Sequence, residues 1–239
     1  MVLNGAAAIV AGASGSIGAA TARMLAENGV SVTLTGRRTA RLAEIAAEIA
    51  RKGGRTQVLT CDLHSENEIN RLFKQAHLQW GRLDIVVNCA GFWAHAPVSA
   101  AGVAERWREM LMINVLAATI ICREAVVYFN PELGGHIVNI GSTSGHRVRH
   151  ESGFYAATKF ALRAVTEALR MELASSRNRT RVTLISPGGV LTEPVQQDAQ
   201  ASAGALRPES VAEVVVSSLR MKEGAVINDV ILRQQYQVP

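Results

Sequence analysis

The feature that most constrains this chain is a regular alternation of short apolar runs with longer amphipathic stretches, sustained almost from end to end. The runs "AAAIVAG", "VSVTLTG", "RTQVLTCDL", "LDIVVNCAG", "GHIVNIGS" and "RVTLISPG" are nearly continuous in apolar and β-branched residues. A strand with one wet face would alternate polar and apolar residues. Continuous runs suit strands covered on both faces, as in a parallel sheet flanked by helices. Between them, "GAATARMLAENG", "SENEINRLFKQAHLQWG", "AERWREMLMINVLAATIICREAVVYF" and "FYAATKFALRAVTEALRMELASS" carry helical spacing. Thr39 opens and Gly53 closes the helix "TARLAEIAAEIARKGG", and Pro208 stands in the first turn of "RPESVAEVVVSSL". A seventh strand is read in "VINDVILR". The pattern predicts an α/β chain: a doubly wound parallel sheet of about seven strands with helices on both faces.

With 239 residues, 48% of them hydrophobic, one domain of this class can bury a large core without staples. No internal repeat, low-complexity tract or linker divides the chain. The segment 192–207, polar and built of small residues, is expected to be a mobile substrate loop. Cys61, Cys89 and Cys122 are odd in number and scattered, with no C-x-x-C pair. They predict neither a disulfide framework nor a metal site, and suit a reducing cytoplasm. No leader pattern and no uninterrupted apolar run long enough for a bilayer is read, so no membrane partner is expected. The net charge of +5 is spread along the chain, which argues against nucleic acid and is compatible with an anionic cofactor.

The stretch "AGASGSIG" follows the first strand and opens the first helix, the context in which glycines can cradle a pyrophosphate. The free N–H groups and positive dipole end of that helix favour an anion. Gly12 would allow the turn, Gly15 a close backbone approach and Gly18 close packing of helix on strand. At the end of the second strand a dinucleotide fold reading NAD places a carboxylate for the ribose hydroxyls. Here "LTGRR" puts Gly36 at that position, followed by Arg37 and Arg38. A guanidinium fork matches a 2′-phosphate, so NADP is expected over NAD, with Arg37 the first choice.

Tyr155 and Lys159 lie four apart in a helical stretch and so share a face. A phenol titrates near pH ~10 in isolation, and an adjacent ammonium favours its ionised form. Ser142, at the end of a buried strand, can project a hydroxyl over the carboxyl edge of the sheet. Taken in order, "GASGSIG", "NCAG", "IGSTSG" and "YAATK" on this strand–helix alternation resemble the short-chain dehydrogenase/reductase family, in its single-domain, NADP-dependent form. The resemblance covers essentially the whole chain and includes the Ser142-to-Tyr155 spacing.

The resemblance implies a Rossmann fold, a nicotinamide cofactor, NADP(H), and hydride transfer to or from a small carbonyl or hydroxy substrate. By it, Tyr155 is the general acid/base, Ser142 positions the substrate oxygen, and Lys159 binds the nicotinamide ribose and lowers the phenol's pKa. Asn114 in "MINVLA" matches the asparagine that kinks its helix and holds a water in the proton relay. Ser14, Ser16 and Ile17 would share the pyrophosphate loop with its glycines. Asp62 and Leu63 would meet the adenine, and Asn88, Ala90 and Gly91 would form the turn beside the cofactor. Pro187, Gly188, Val190 and Thr192 would hold the nicotinamide carboxamide. Trp93 and His146 are expected substrate contacts. Ala11 and Ser16 depart from the family's common T-G-x-x-x-G-x-G, and the C-terminus lacks a "DGG" ending; there it resembles NADP-dependent members acting on small hydroxy acids and amino alcohols. Apolar residues in the helices carrying Asn114 and Tyr155 exceed what one sheet can cover, which suggests a homodimer or homotetramer. A noncatalytic NADP-binding protein, or a dehydratase or epimerase, is the alternative on the same fold.

Overall fold

The computed structural model describes residues 1–150, 153–192 and 204–236. Seven strands form one sheet: β1 (Ala7–Ala11), β2 (Ser31–Gly36), β3 (Thr56–Thr60), β4 (Ile85–Asn88), β5 (His136–Ile140), β6 (Arg181–Pro187) and β7 (Asp229–Leu232). Their order is β3-β2-β1-β4-β5-β6-β7, and every pairing is parallel. The expected doubly wound sheet of seven strands is the observed one. β1, β2, β4 and β5 are buried along their full length, which is why their sequences read as continuous apolar runs. The edge strand β7 alternates exposed and half-buried residues, as an edge lying beyond the flanking helices should.

The helices are α1 (Ser16–Glu27), α2 (Thr39–Arg51), α3 (Glu66–Trp80), α4 (Ala104–Leu111), α5 (Ala118–Tyr128), α6 (Gly153–Ser175) and α7 (Pro208–Leu219). One face of the sheet packs Ala8 and Val10 of β1 against Leu25 of α1, Leu42 and Ile45 of α2, and Val211 and Val215 of α7. The other packs Ile9 and Val86 against Ile69 and Phe73 of α3, Ile121 of α5 and Leu173 of α6. Alternate residues of a strand feed opposite cores, so a single register slip would exchange them. Ser65 caps α3 by accepting the N–H of Glu68 at 3.3 Å, and Gly81 ends that helix in the left-handed region.

Two expectations change. The stretch read as one long helix runs from Ala104 to Tyr128, but its middle, Met112–Ala117, is a π-helical turn separating α4 from α5. By length and mean hydropathy this 25-residue stretch is also apolar enough to cross a membrane, although Arg123 and Glu124 interrupt its apolar run; 56% of its most apolar window is buried inside the fold. Most of the segment 192–207 lies outside the described residues. Its ends are joined, because Leu191 N–H donates to Leu206 O and Leu206 N–H to Gly189 O, both at 2.8 Å.

Strand order reverses between β1 and β4, and the loops after these strands diverge there. That crevice at the carboxyl edge of the sheet is where open α/β folds place ligands.

Candidate active site

The loop Gly12–Gly15 leaves β1 and delivers the chain into α1 with Gly15 as N-cap. Gly12 adopts φ +74°, and a Cβ there would lie 2.7 Å from the Ala90 nitrogen. A Cβ at Gly18 would come within 2.3 Å of Gly12 O, so the first turn of α1 rests directly on the loop. Gly12 is therefore required for conformation and space, and Gly18 for space. Ser16 begins α1. On the β4 side, the Asn88 Oδ1 accepts the Ala90 N–H at 3.2 Å and shapes the turn carrying Cys89, Ala90 and Gly91.

Between these loops runs a cleft with two contiguous compartments. The smaller, about 270 Å³, is lined by Gly12, Ser14, Gly15, Arg37, Arg38, Cys61 and Leu63, among others. A Cβ at Gly36 would stand 3.0 Å from Ser14 Oγ, so the β2 end has little room for a longer side chain. The Arg38 guanidinium reaches back to donate to Ser14 O, tying the β2 end to the glycine loop. Arg37 is exposed at the same rim and lowers the Asp62 carboxyl electrostatically, though His64 does more. The expectation ranked Arg37 ahead of Arg38; it is Arg38 that contacts the loop. Asp62 does not line the compartment. Its Oδ1 accepts the His64 backbone N–H at 3.1 Å and pairs with His64 Nδ1 at 2.7 Å.

The larger compartment, about 690 Å³, gathers Ser16, Ile17, Gly18, Ala90, Gly91, Trp93, Ser142, Tyr155, Lys159, Pro187, Gly188, Val190 and Thr192. Tyr155 and Lys159 point from the first turns of α6 toward Ser142, beyond the end of β5, and the Tyr155 phenol is hydrogen-bonded to the Ser142 hydroxyl. Lys159 is 4% exposed; its Nζ donates to Ile140 O at 3.1 Å and stands 5.7 Å from the centre of the Tyr155 ring. Burial pushes the Tyr155 phenol up to about 12, against the Ser142 bond, and pulls Lys159 down to about 8. The expectation that Lys159 brings the phenol toward neutrality is not met in this state. Desolvation dominates, and the only opposing influence is the Ser142 hydroxyl.

Asn114 sits in the π-helical turn, 1% exposed, and does not line the cleft. Its Oδ1 accepts the Phe92 N–H at 2.7 Å, while Nδ2 donates to Phe92 O at 2.8 Å and Thr158 Oγ1 at 3.0 Å. Thr158 in turn donates to Tyr155 O at 2.8 Å. One amide thus locks the loop after β4 to the first turn of α6. Thr158 carries no sequence signal beyond its place before Lys159. His146 turns away from the cleft: its Nε2 lies 3.0 Å from Ser186 Oγ, and burial beside Arg163 lowers its pKa. Trp93, 59% exposed, does stand in the cleft, with Phe92 and Arg149. Arg149 lies in a basic stretch after β5, and nothing in its spacing marks it as a residue of the cleft.

A hydroxyl–phenol–ammonium set at the carboxyl edge of a parallel sheet, its ammonium buried and its cleft facing a glycine loop, is suited to proton transfer beside a dinucleotide. The family model for short chain dehydrogenase matches residues 6–203. The bovine (Bos taurus) "Dehydrogenase/reductase SDR family member 11" is 38% identical over 97% of this chain and 96% of its own. A short chain dehydrogenase from Burkholderia cenocepacia, solved with NADP, superposes with a TM-score of 0.88 at 28% identity, covering 98% of both chains. An alcohol dehydrogenase from Thermococcus sibiricus, solved with 5-hydroxy-NADP, gives 0.86 at 26% identity, again over 98% of each. With sheet order, glycine loop and cleft all in agreement, this chain belongs to the short-chain dehydrogenase/reductase family of oxidoreductases, which bind a nicotinamide cofactor and act on small molecules.

Proposed function

We propose that the protein is an NADP(H)-dependent oxidoreductase that interconverts a carbonyl group and a secondary alcohol, with Tyr155 as general acid/base. The observation that carries this reading is the Tyr155 phenol on the Ser142 hydroxyl, beside the buried Lys159 ammonium, in the cleft that continues to the glycine loop. The fit of the cofactor rests on this chain's own geometry. The backbone at Gly12 and Gly18 leaves no side chain over the loop, and Gly36 leaves no carboxylate for a ribose 2′-hydroxyl. Arg37 and Arg38 supply charge at the position of a 2′-phosphate. NADP complexes among similar structures support the same choice.

When bound, the nicotinamide supplies or accepts the hydride. Ser142 would hold the substrate oxygen by donating a hydrogen bond, and Tyr155, protonated across the neutral range, would give its proton to that oxygen as negative charge develops there. Lys159, still largely protonated at pH 7, would stabilise the phenolate left behind and receive a ribose hydroxyl. Asn114 would hold Phe92 and Thr158 so that the loop and α6 keep their spacing through turnover. Trp93 and Arg149 would meet the substrate's outer end. Leu116 (47% exposed), Val127, Phe160 and Met171 leave an apolar face on α6 and the adjoining π-turn and α5, which supports a dimer through these helices. The three free thiols support a reducing cytoplasm as its setting.

The test is Tyr155→Phe, followed by NADPH oxidation against a panel of ketones, aldehydes and keto acids. Turnover is expected to fall by roughly 10²–10⁴-fold, while NADPH binding, read from cofactor fluorescence, stays near wild type. A variant that keeps most of its turnover removes Tyr155 from the mechanism. Wild-type protein that binds NADPH but oxidises it with no carbonyl is the noncatalytic alternative.

A further inference from the structure

His64 follows β3 and belongs to no element, yet its ring is held at both ends. Nδ1 lies 2.7 Å from Asp62 Oδ1, and Nε2 lies 2.6 Å from Glu109 Oε2 on α4. A neutral imidazole has one N–H and can donate to one carboxylate only; the imidazolium donates to both. The Asp62 corner is fixed from the other side as well, since its own N–H donates to Glu68 Oε2 of α3 at 2.7 Å. Asp62 Oδ2 has no protein partner among the described residues, and the flanking Cys61 and Leu63 line the smaller compartment of the cleft.

The far end of this bridge is also anchored. From α4, Arg106 Nη1 donates to His95 O at 2.9 Å and Trp107 Nε1 to Ala96 O at 3.1 Å, holding the loop after β4 that includes Trp93. Trp107 stacks on Phe154 of α6, centroids 5.2 Å apart, next to Tyr155. A chain of contacts therefore runs from the acidic corner after β3, through His64 and α4, to the substrate wall and the helix of the reacting phenol.

We propose that His64 is a positioning residue of the cofactor site: as an imidazolium clamped between Asp62 and Glu109, it fixes the corner that receives the adenine end of NADP(H) against the helix that braces the substrate wall. The proposal rests on the cofactor reading above. The charged groups facing His64 are Asp62 and Glu109, whose hydrogen bonds raise its pKa; Asp62 faces His64 and, more weakly, Arg37, and is lowered. The clamp therefore stays closed to higher pH than an ordinary imidazole would allow, and it loosens as pH rises, because His64 loses the proton one of its two contacts needs.

The test is equilibrium binding of NADPH to the purified full chain, followed by fluorescence, with steady-state kinetics alongside. His64→Ala is expected to weaken NADPH binding roughly tenfold, the order of one charge-assisted hydrogen bond. The loss should appear in the KM for NADPH and not in kcat. His64→Gln, whose amide can donate to one carboxylate at a time, should lose less, and it carries the test if the alanine variant fails to fold. The ratio of wild-type to His64→Gln affinity, in which the ionisation of NADPH itself cancels, should fall as pH rises from 6 to 9. Wild-type affinity in both variants, or a ratio flat with pH, overturns the proposal while leaving the cofactor reading intact. Wild-type protein that does not bind NADPH overturns both.

Discussion

The two ends of the cleft are built on opposite principles. At the end of β5 and the start of α6, Lys159 and Asn114 are 4% and 1% exposed, and their polar atoms are held by Ile140 O, Phe92 and Thr158. At the ends of β2 and β3, Arg37 and Arg38 are exposed and Asp62 and His64 lie on the surface side of the compartment. In the buried end each polar group is costly to leave unpaired, so geometry is fixed before any ligand arrives. In the exposed end charges are cheap to hold and cheap to change, so Arg37 and Arg38 act by attraction and choice of ligand, and the fixed geometry there is the Asp62–His64–Glu109 bridge. Proton transfer needs the first arrangement, and discrimination between cofactors needs only the second.

The comparison breaks first, if it breaks, at Asn114. Asn114→Ala leaves the Phe92 N–H, Phe92 O and Thr158 Oγ1 without their partner in a buried site. At about 1–3 kcal/mol for a buried group left unpaired, the expected loss is about 2–4 kcal/mol, or a Tm lower by roughly 5–12 °C for a chain this size. Turnover should fall with it, because the same amide spaces Tyr155 from the loop after β4. Thermal unfolding and kcat measured together check this. A variant with wild-type Tm and kcat would mean that the buried end is not organised by Asn114.

The same contrast explains what could be read in the sequence. Parallel strands covered on both faces have to be continuous in apolar residues, so β1, β2, β4, β5 and β6 were legible directly, while the less covered β3 and β7 were read from their place in the alternation, as was the order of the motifs at the sheet's carboxyl edge. The π-helical turn at Met112–Ala117 was not, because one residue of shift inside 25 helical residues barely disturbs apolar periodicity. Only the resemblance pointed to a kink there. His146 and Trp93 stood equal in the sequence, and the fold separates them: the turn Thr143–Gly145 aims His146 at Ser186, while Trp93 stays in the cleft. Which arginine touches the glycine loop depends on the reach of a side chain past Gly36, something no spacing records. The His64 bridge joins positions 45 residues apart through side chains alone, and side-chain pairs across elements leave no periodic trace.

The exposed end is sharpened by Arg37→Ala combined with Arg38→Ala. Charge-assisted hydrogen bonds to a phosphate contribute about 1.5–3 kcal/mol, so NADPH affinity is expected to fall roughly 10- to 100-fold. NADH affinity should change little, and Tm should stay within about 2 °C of wild type, since surface substitutions rarely exceed 0.5 kcal/mol. Binding titrations with both cofactors, and one melting curve, decide it. A large loss of Tm would show that Arg38, through Ser14 O, holds the fold as well as the ligand.

The smallest expected effect separates the two ends most cleanly. Burial lowers Lys159 to about 8, so it is charged below that pH and neutral above it, and a phenolate forming on Tyr155 loses its nearest cation as pH passes that value. Tyr155 itself, at about 12, and Cys89, also pushed up to about 12 by burial, do not titrate in this window. With NADPH saturating, which removes any contribution of His64 to cofactor affinity, kcat for carbonyl reduction should fall by about twofold between pH 7 and 8 and more steeply beyond, at one group per proton. Because Lys159 is buried, the midpoint should hold between 50 and 500 mM salt. If the exposed Arg37 and Arg38 hold the 2′-phosphate as proposed, the KM for NADPH should rise several-fold over the same range as the Debye length shrinks from roughly 14 to 4 Å. A midpoint that moves with salt would mean that the titrating group is exposed, and the charge that controls proton transfer would then have to be sought at the rim of the cleft rather than beneath Tyr155.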